Sequence, residues 1–212
     1  MRPVKAFVSS AVAGMSIAIG GAAFLSLDNK VLGAGFFTVG LFVICTFGFN
    51  LFTGKVCYVF ENNGKYALTL IPIWLGNLVG TWLTALLFRA TRIASIAEKA
   101  AGMCQVKLDD SLWSIFILAV FCNILIFFAV DGYKNNPHEA GKYLSLFFGV
   151  MVFILCGFEH CVANMFYISV AGMWNGEAVV FILVNTLGNA AGGFLIPLIR
   201  GFLREKEKTA VI

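Results

Sequence analysis

The chain has 212 residues, of which 60% are apolar and 12% are charged, with a mean hydropathy of +0.90 and a formal net charge of +4. Soluble domains are about half apolar and a quarter charged, so this composition excludes a water-soluble enzyme, a disordered chain and a nucleic-acid-binding module. At about 20 residues a span plus loops, the length suffices for roughly six membrane-spanning helices.

Six apolar segments are predicted to cross the membrane, at about 6–27, 31–60, 67–88, 111–130, 143–173 and 177–199. An even number of spans puts both termini on one side. That side carries nine lysines and arginines against five on the other. Because basic residues collect in cytoplasmic loops, we expect cytoplasmic termini in a plasma-membrane protein. The loop 89–110 is expected to carry an amphipathic segment around Ile93–Met103.

Spans 2 and 5 are each about 30 residues long, and we predict that both are broken. A straight helix of that length reaches about 45 Å, whereas the hydrocarbon core is about 30 Å thick. Both spans carry glycines and polar residues near the middle: Gly48, Asn50, Thr53, Gly54 and Lys55 in one, and Gly157, Glu159, His160 and Asn164 in the other. Broken helices are tolerated where their backbone is buried in protein or lines a cavity. Strongly tilted helices with local kinks are the alternative.

Two pairs of segments resemble each other along the chain. GFNLFTGKVCYV (48–59) aligns without gaps on GFEHCVANMFYI (157–168), and GNLVGTWLTALL (76–87) aligns on GNAAGGFLIPLI (188–199). The two offsets, 109 and 112, nearly agree. Spans 1–3 and spans 4–6 are therefore predicted to be two copies of one unit.

A unit of three spans must insert its second copy upside down, and inverted repeats with discontinuous helices are typical of transporters and channels. We therefore predict one all-α membrane channel domain over 1–212, with repeats at about 6–88 and 111–199 and a cytoplasmic tail at 200–212. Small residues allow close helix contact, so the GNxxG glycines are expected to pack spans 3 and 6 on the core. For the same reason span 1 is expected to meet a neighbouring protomer through three glycines: Gly14, Gly20 and Gly21.

Glu159 and His160 are the sharpest chemical signal, because ionisable residues inside a span usually mark a pathway or a relay. Imidazole can give or take a proton near neutral pH, so His160 is the candidate proton relay. The alternative is a neutral His160 that bonds a carbonyl or hydroxyl and holds the helix break. Helical neighbours point about 100° apart, so Glu159 is expected to face protein and to bond backbone donors freed by the break.

The matching break offers a second polar group and several large apolar ones. Thr53 is predicted to lie opposite His160 as a hydrogen-bonding partner, and Leu51 and Phe52 are predicted to close a pore. A second apolar constriction is predicted from three side chains: Phe37, Leu41 and Phe153. Ordinary packing is the alternative for each aromatic residue, since the chain has 22 phenylalanines.

The segments GFNLFTG, GNLVG, GFEHCVANMFYI and TLGNAAGG resemble the formate/nitrite transporter family in order and spacing, over almost the whole chain. The resemblance implies an aquaporin-like fold, a homopentamer with one pore in each protomer, and passage of small monovalent anions of weak acids. Formate, nitrite and hydrosulfide are the substrates that it implies, with no cofactor.

Position by position, the resemblance also assigns roles. It implies the central pore histidine at His160, the Ω-loop threonine at Thr53, the cytoplasmic constriction at Leu51 and Phe52, and the periplasmic constriction at Phe37, Leu41 and Phe153. It also implies the family's lysine near the pore mouth at Lys107 and the asparagine that follows the histidine at Asn164. Glu159 is a candidate together with these two residues for anion attraction and polar support.

Passage is predicted to be proton-linked, because a bare anion loses its hydration in an apolar constriction and a neutral acid does not. One rival is an aquaporin-like channel for small neutral solutes, but the chain lacks NPA motifs. Another is a membrane enzyme or redox subunit, but haem ligation normally needs further histidines and only two are present. The six cysteines form no CxxC pair, so neither a disulfide nor a metal is expected.

Overall fold

The computed structural model describes residues 3–210, with side chains described from residue 4 to residue 203. The described residues form ten α-helices and a short 3₁₀ turn at Val59–Glu61. The helices are α1 (Pro3–Ser26), α2 (Lys30–Phe37), α3 (Val39–Phe47), α4 (Phe52–Val56), α5 (Gly64–Arg89), α6 (Ile96–Leu108), α7 (Leu112–Asn135), α8 (Glu139–Leu155), α9 (Cys161–Ala171) and α10 (Gly176–Ala210). Arg2, which enters the charge balance above, and the last two residues of the predicted tail lie outside the described residues.

Among the described residues, five stretches are long and apolar enough to cross a membrane: Val4–Ser26, Lys30–Phe47, Gly64–Arg89, Leu112–Asn135 and Gly176–Leu203. The predicted fifth span is divided between α8 and α9, which have 17 and 11 residues. Helix α10 continues through the predicted tail as far as Ala210.

Both interruptions lie where the sequence predicts them. Helix α3 ends at Gly48, whose φ of +72° is left-handed, and Leu51 is extended before α4 begins. Helix α8 is followed by Gly157, whose φ is +71°, and His160 is extended before α9 begins. Only glycine adopts this left-handed backbone without a steric penalty, which explains why both breaks start with a glycine.

A buried asparagine on α5 holds the first break together. The Asn77 side chain accepts a hydrogen bond from the Phe52 N–H (2.8 Å) and donates to the carbonyls of Ser10 (2.7 Å) and Asn50 (2.9 Å). Backbone groups that leave a helix inside an apolar bundle need such partners, because an unpaired buried polar group is costly. The amide of Asn77 thus joins α1, the extended link and the start of α4.

Asn189 on α10 does the same for the second break. Its side chain accepts from the Cys161 N–H (2.9 Å) and donates to the carbonyls of Glu159 (2.8 Å) and Ala119 (2.8 Å). Asn77 and Asn189 are the asparagines of the two GNxxG segments. Only the glycines of that motif were predicted to have a structural role, although the asparagine that recurs beside them was the signal for a residue that holds the break.

The glycines of the motif bring pairs of helices into backbone contact. A Cβ atom on Gly80 would lie 2.0 Å from the Ala11 carbonyl oxygen, and one on Gly192 would lie 2.1 Å from that of Val120. Only a residue without a side chain permits such an approach. Helix α5 therefore packs tightly on α1, and α10 packs tightly on α7, as the motif predicts.

The expected glycine surface on α1 for a neighbouring protomer is wrong. Gly14 faces the Asn77 backbone, Gly20 faces the Phe37 carbonyl and Gly21 faces the Phe166 ring, each within 2.6 Å of an added Cβ. The hydropathy pattern cannot distinguish a stripe that packs inside one chain from a stripe that packs between chains. Here the space is filled by the chain itself.

Helix α6 agrees with the predicted amphipathic segment and carries Lys107 near its end. Lys99 on this helix donates to Asp28 in the link between α1 and α2 (2.8 Å). This hydrogen bond from the Lys99 ammonium lowers the pKa of the Asp28 carboxyl below its usual value. The remaining function of α6 is to place Lys107 against the second break.

Candidate functional site

His160 and Thr53 meet where the two breaks face each other. The Nε2 atom of His160 lies 3.0 Å from Oγ1 of Thr53, and the two residues are 2% and 0% exposed. His160 is also the N-cap of α9, because its Nδ1 accepts the Ala163 N–H at 3.1 Å. The Phe153 ring stacks on the imidazole with centroids 5.6 Å apart. Three contacts therefore hold the ring in one orientation.

These contacts define which atoms carry hydrogen in a neutral imidazole. Since Nδ1 accepts from Ala163, its lone pair is in use and the single ring hydrogen lies on Nε2. The Nε2–H then donates to the Thr53 hydroxyl oxygen. The Thr53 hydroxyl hydrogen has no acceptor among the described residues and stays available to a ligand. Charging the imidazole would put a hydrogen on Nδ1 and break the bond to Ala163.

His160 opens on one side into a cavity of ≈ 400 Å³. We call this cavity the histidine vestibule; its polar and aromatic lining includes Lys107, Phe153, Glu159, His160, Asn164 and Tyr167. Five of these six residues come from the second break and the helices beside it, and Lys107 comes from α6. The stacked rings of Phe153 and His160 both line this vestibule.

The Glu159 carboxylate bonds two side chains in this vestibule. Lys107 Nζ donates to both carboxylate oxygens (2.7 Å each), and Asn164 Nδ2 donates to Oε2 (2.6 Å). The expectation that Glu159 bonds backbone donors is therefore wrong. Asn189 already forms the hydrogen bonds to the backbone of the break, at the Cys161 N–H and the Glu159 carbonyl. The side chains of Lys107 and Glu159 are 16% and 6% exposed, so the pair is largely withdrawn from water.

A second, smaller cavity of ≈ 100 Å³ is lined by Lys134 near the end of α7. Asp131, one turn before Lys134, pairs with Arg200 in the last part of α10, so this cavity lies toward the end of the bundle where the chain termini lie. We call it the lysine vestibule; its lining includes Leu41, Cys45, Leu51, Gly54, Lys55 and Lys134. Neither lysine was predicted from the sequence to have a role at the site. The position of Lys55, two residues after Thr53 in a broken span, was the available signal.

The predicted apolar side chains are all buried but are grouped differently. Phe153 lines the histidine vestibule, and Phe37 meets its ring edge-on with centroids 6.0 Å apart. Leu41 lines the lysine vestibule with Leu51, although it was predicted to join Phe37 and Phe153. Phe52 lines neither cavity, and its N–H anchors the break to Asn77. Two buried apolar side chains, Phe153 at the histidine vestibule and Leu51 at the lysine vestibule, thus lie on either side of the Thr53–His160 pair.

The chain matches the family model described as formate/nitrite transporter over residues 1–200. It belongs to the formate/nitrite transporter family.

Several members of the formate/nitrite transporter family are similar to this chain along most of its length. The uncharacterized transporter YrhG of Bacillus subtilis (strain 168) is 32% identical over 78% of this chain and 68% of its own. Formate channel FocA of Haemophilus influenzae is 26% identical over 79% of this chain and 66% of its own. Nitrite transporter NirC of Escherichia coli (strain K12) is 26% identical over 91% and 80%. The chain thus spans about two thirds of the length of YrhG and FocA. These relatives are transporters and channels.

Two solved structures share the fold of this family member. A structure described as a pentameric formate channel with formate bound superposes with a TM-score of 0.82 at 24% identity, covering 96% of this chain and 97% of that one. An FNT family ion channel superposes with a TM-score of 0.80 at 24% identity, covering 92% and 88%. The all-helical fold with its apolar helices is therefore that of a formate/nitrite transporter family channel.

Proposed function

We propose that each protomer conducts small monovalent anions of weak acids, namely formate, nitrite or hydrosulfide, and that passage is linked to a proton. The Thr53–His160 hydrogen bond of 3.0 Å carries this proposal, because it is a buried polar contact between two vestibules in an otherwise apolar barrier. The names of FocA and NirC support the substrate class.

The architecture that we propose is six spans in two inverted repeats, in one aquaporin-like channel domain. The matched roles of Asn77 and Asn189 support the repeat, because each closes a break that starts with a left-handed glycine. The basic excess on the side of the termini supports cytoplasmic termini in a plasma membrane. The pentameric structural relative supports a ring of five protomers.

The proposed mechanism follows from the tautomer of His160. An anion that enters a vestibule approaches the free hydroxyl hydrogen of Thr53, which the Nε2–H of His160 polarises by donating to its oxygen. A neutral imidazole cannot supply the proton without becoming an anion itself. The proton therefore comes from the bulk solution as a hydronium ion in the vestibule, which protonates the anion and leaves a water molecule, and the His160–Thr53 pair stabilises the bound acid. The neutral acid then crosses the apolar barrier at a lower desolvation cost. Because Thr53 is fully buried, passage also requires side-chain motion in the barrier.

Proteoliposomes loaded with a pH dye test this function. An inward gradient of formate, nitrite or hydrosulfide is expected to acidify the lumen faster than in protein-free vesicles. A channel for neutral solutes would instead let glycerol or water through and leave the lumen pH at its protein-free rate. That outcome would overturn the proposed function.

Replacing Thr53 with valine is expected to slow anion uptake by about tenfold or more. The substitution keeps the shape and removes the hydroxyl, so a buried hydrogen-bond donor to the anion is lost, which costs about 1–3 kcal/mol. Thr53→Ser keeps the hydroxyl and is expected to keep at least half of the uptake rate. Initial rates with the pH dye measure both variants. An anion uptake rate in Thr53→Val equal to that of wild type would show that Thr53 only packs against its neighbours.

Mixed oligomers are expected to show that the pores work independently. Both breaks and both asparagines lie in one chain, so each protomer holds a complete site. Activity should then fall in proportion to the fraction of His160→Phe protomers that are co-expressed with wild type. A shared axial pore would instead lose activity as roughly the fifth power of the wild-type fraction in a closed ring of five. Uptake rates at known subunit ratios decide between the two.

A further inference from the structure

The two vestibules carry different charges. The lining of the histidine vestibule includes two lysines, Lys30 and Lys107, and two carboxylates, Asp110 and Glu159, so its formal charges cancel. The lining of the lysine vestibule includes two lysines, Lys55 and Lys134, and no carboxylate. The side with the termini therefore presents two uncompensated positive charges beside the apolar barrier.

Neighbouring carboxylates do not neutralise these lysines. Asp131 lies one helical turn before Lys134, but it pairs with Arg200 at 2.6 Å and accepts from Asn135. Among the residues with described side chains, neither Lys55 nor Lys134 forms an ion pair. The Lys134 ammonium lies 3.9 Å from the centroid of the Tyr58 ring, which orients it and leaves its charge in place.

The size of the cavity limits what these charges can hold. A volume of ≈ 100 Å³ has room for about three water molecules. An anion of three non-hydrogen atoms, such as formate or nitrite, fits this space when it replaces most of that water. The apolar wall of Leu41, Ile44 and Leu51 opposes a bare charge, which the two ammonium groups offset.

We propose that Lys55 and Lys134 form a binding site for one compact monovalent anion, and that this site makes uptake half-saturate at a lower concentration from the side of the termini than from the histidine side. The inference rests on the proposed function and adds an asymmetry to it. Lys107 contributes less attraction on the other side, because Glu159 cancels its charge. The ligand is the transported anion itself, held next to the barrier before it crosses.

Right-side-out and inside-out membrane vesicles from expressing cells test the asymmetry, with a C-terminal tag reporting which face is outward. Initial formate uptake is measured against external formate at equal pH on both sides. Wild type should half-saturate at about 25-fold lower formate from the face of the termini, because each of the two lysines contributes about fivefold. One unit charge at about 4 Å in water corresponds to about 1 kcal/mol, which is about fivefold in half-saturation. Equal values from both faces would overturn the proposal.

Variants with single lysines replaced identify the residues that cause the difference in half-saturation between the two faces. Lys55→Gln and Lys134→Gln should each raise half-saturation from the face of the termini by about fivefold and leave it unchanged from the histidine face. The maximal rate from the face of the termini should rise in the same proportion, because a passive channel keeps the ratio of maximal rate to half-saturation equal in the two directions at equal pH. Lys65→Gln is the matched control, since Lys65 is an exposed lysine that is not part of the lining of this vestibule. Its chain neighbour Tyr66 donates to the Lys55 carbonyl, which places Lys65 at the same end of the bundle. Equal shifts in all three variants would assign the effect to general surface charge and contradict the site.

Ionic strength provides a second measurement on the unmodified channel. An impermeant salt raised from about 10 mM to about 150 mM shortens the Debye length from about 30 Å to about 8 Å. Half-saturation should rise clearly from the face of the termini and little from the histidine face. The same rise on both faces would overturn the asymmetry even if a lysine variant fails to assemble. Absence of anion uptake from either face in wild type would instead refute the proposed function.

Discussion

Replacing His160 with phenylalanine is expected to reduce proton-linked anion uptake by about a hundredfold or more, with the oligomer still assembled. Phenylalanine fills a similar volume against the Phe153 ring, but it removes the Nε2–H that polarises Thr53. It also removes the N-cap of α9, which costs about 1 kcal/mol. Dye-loaded proteoliposomes measure the rate, and size-exclusion chromatography measures the assembly.

His160→Asn separates the two roles of the histidine. Asparagine is a good N-cap and can accept the Ala163 N–H, so α9 should start as before. Its shorter side chain cannot also reach the Thr53 oxygen. We therefore expect wild-type thermal stability with uptake as low as in the phenylalanine variant. Uptake at the wild-type rate in His160→Asn would show that the histidine only caps the helix.

Replacing Asn189 with leucine is expected to destabilise the protein by roughly 2–6 kcal/mol. The change leaves the Cys161 N–H and the Glu159 carbonyl of the second break without a partner, at about 1–3 kcal/mol for each buried group. The break would lose its link to α10, and His160 would lose its position. The melting temperature of the detergent-solubilised oligomer should fall, and uptake should fall with it.

The same helix provides a matched control one turn earlier. Asn185 is fully buried, and neither end of its side-chain amide has a hydrogen-bonding partner among the described residues. Asn185→Leu replaces an unsatisfied polar group by an apolar one, so it should leave stability unchanged or raise it by about 1 kcal/mol. Equal losses of stability in the two leucine variants would contradict the role of Asn189 at the break.

The polar residues next to His160 add no net charge to the proposed pathway, because they are paired with one another. Glu159 is satisfied by Lys107 and Asn164, so the carboxylate does not act as a free anion beside the imidazole. A lone carboxylate here would repel the transported anion. Breaking a buried pair leaves an uncompensated charge, which is strongly destabilising. Attraction of the anion is therefore expected to depend more on the unpaired lysines of the other vestibule.

The sequence by itself determined the membrane setting, the apolar segments, both helix breaks and the two groups that meet at the barrier. These properties are local. About 20 consecutive apolar residues indicate a span, and glycine with polar residues inside a span indicates a break. Thr53 lies in one of the two aligned segments and His160 lies in the other. Internal similarity then supplied the one long-range relation that no single segment contains.

Only the tertiary structure decided which side chains serve those breaks. Asn77 and Asn189 reach backbone groups that are 25 to 70 residues away in the chain, and Glu159 meets Lys107 across 52 residues. Such pairings depend on how closely helices approach, which is set by glycine contacts at distances that no hydropathy pattern encodes. The same reason separates Leu41 from Phe153 and brings Lys55 and Lys134 to one cavity. The residue type determines which hydrogen bonds and ion pairs a side chain can form, and the packing of the helices determines which partner it reaches.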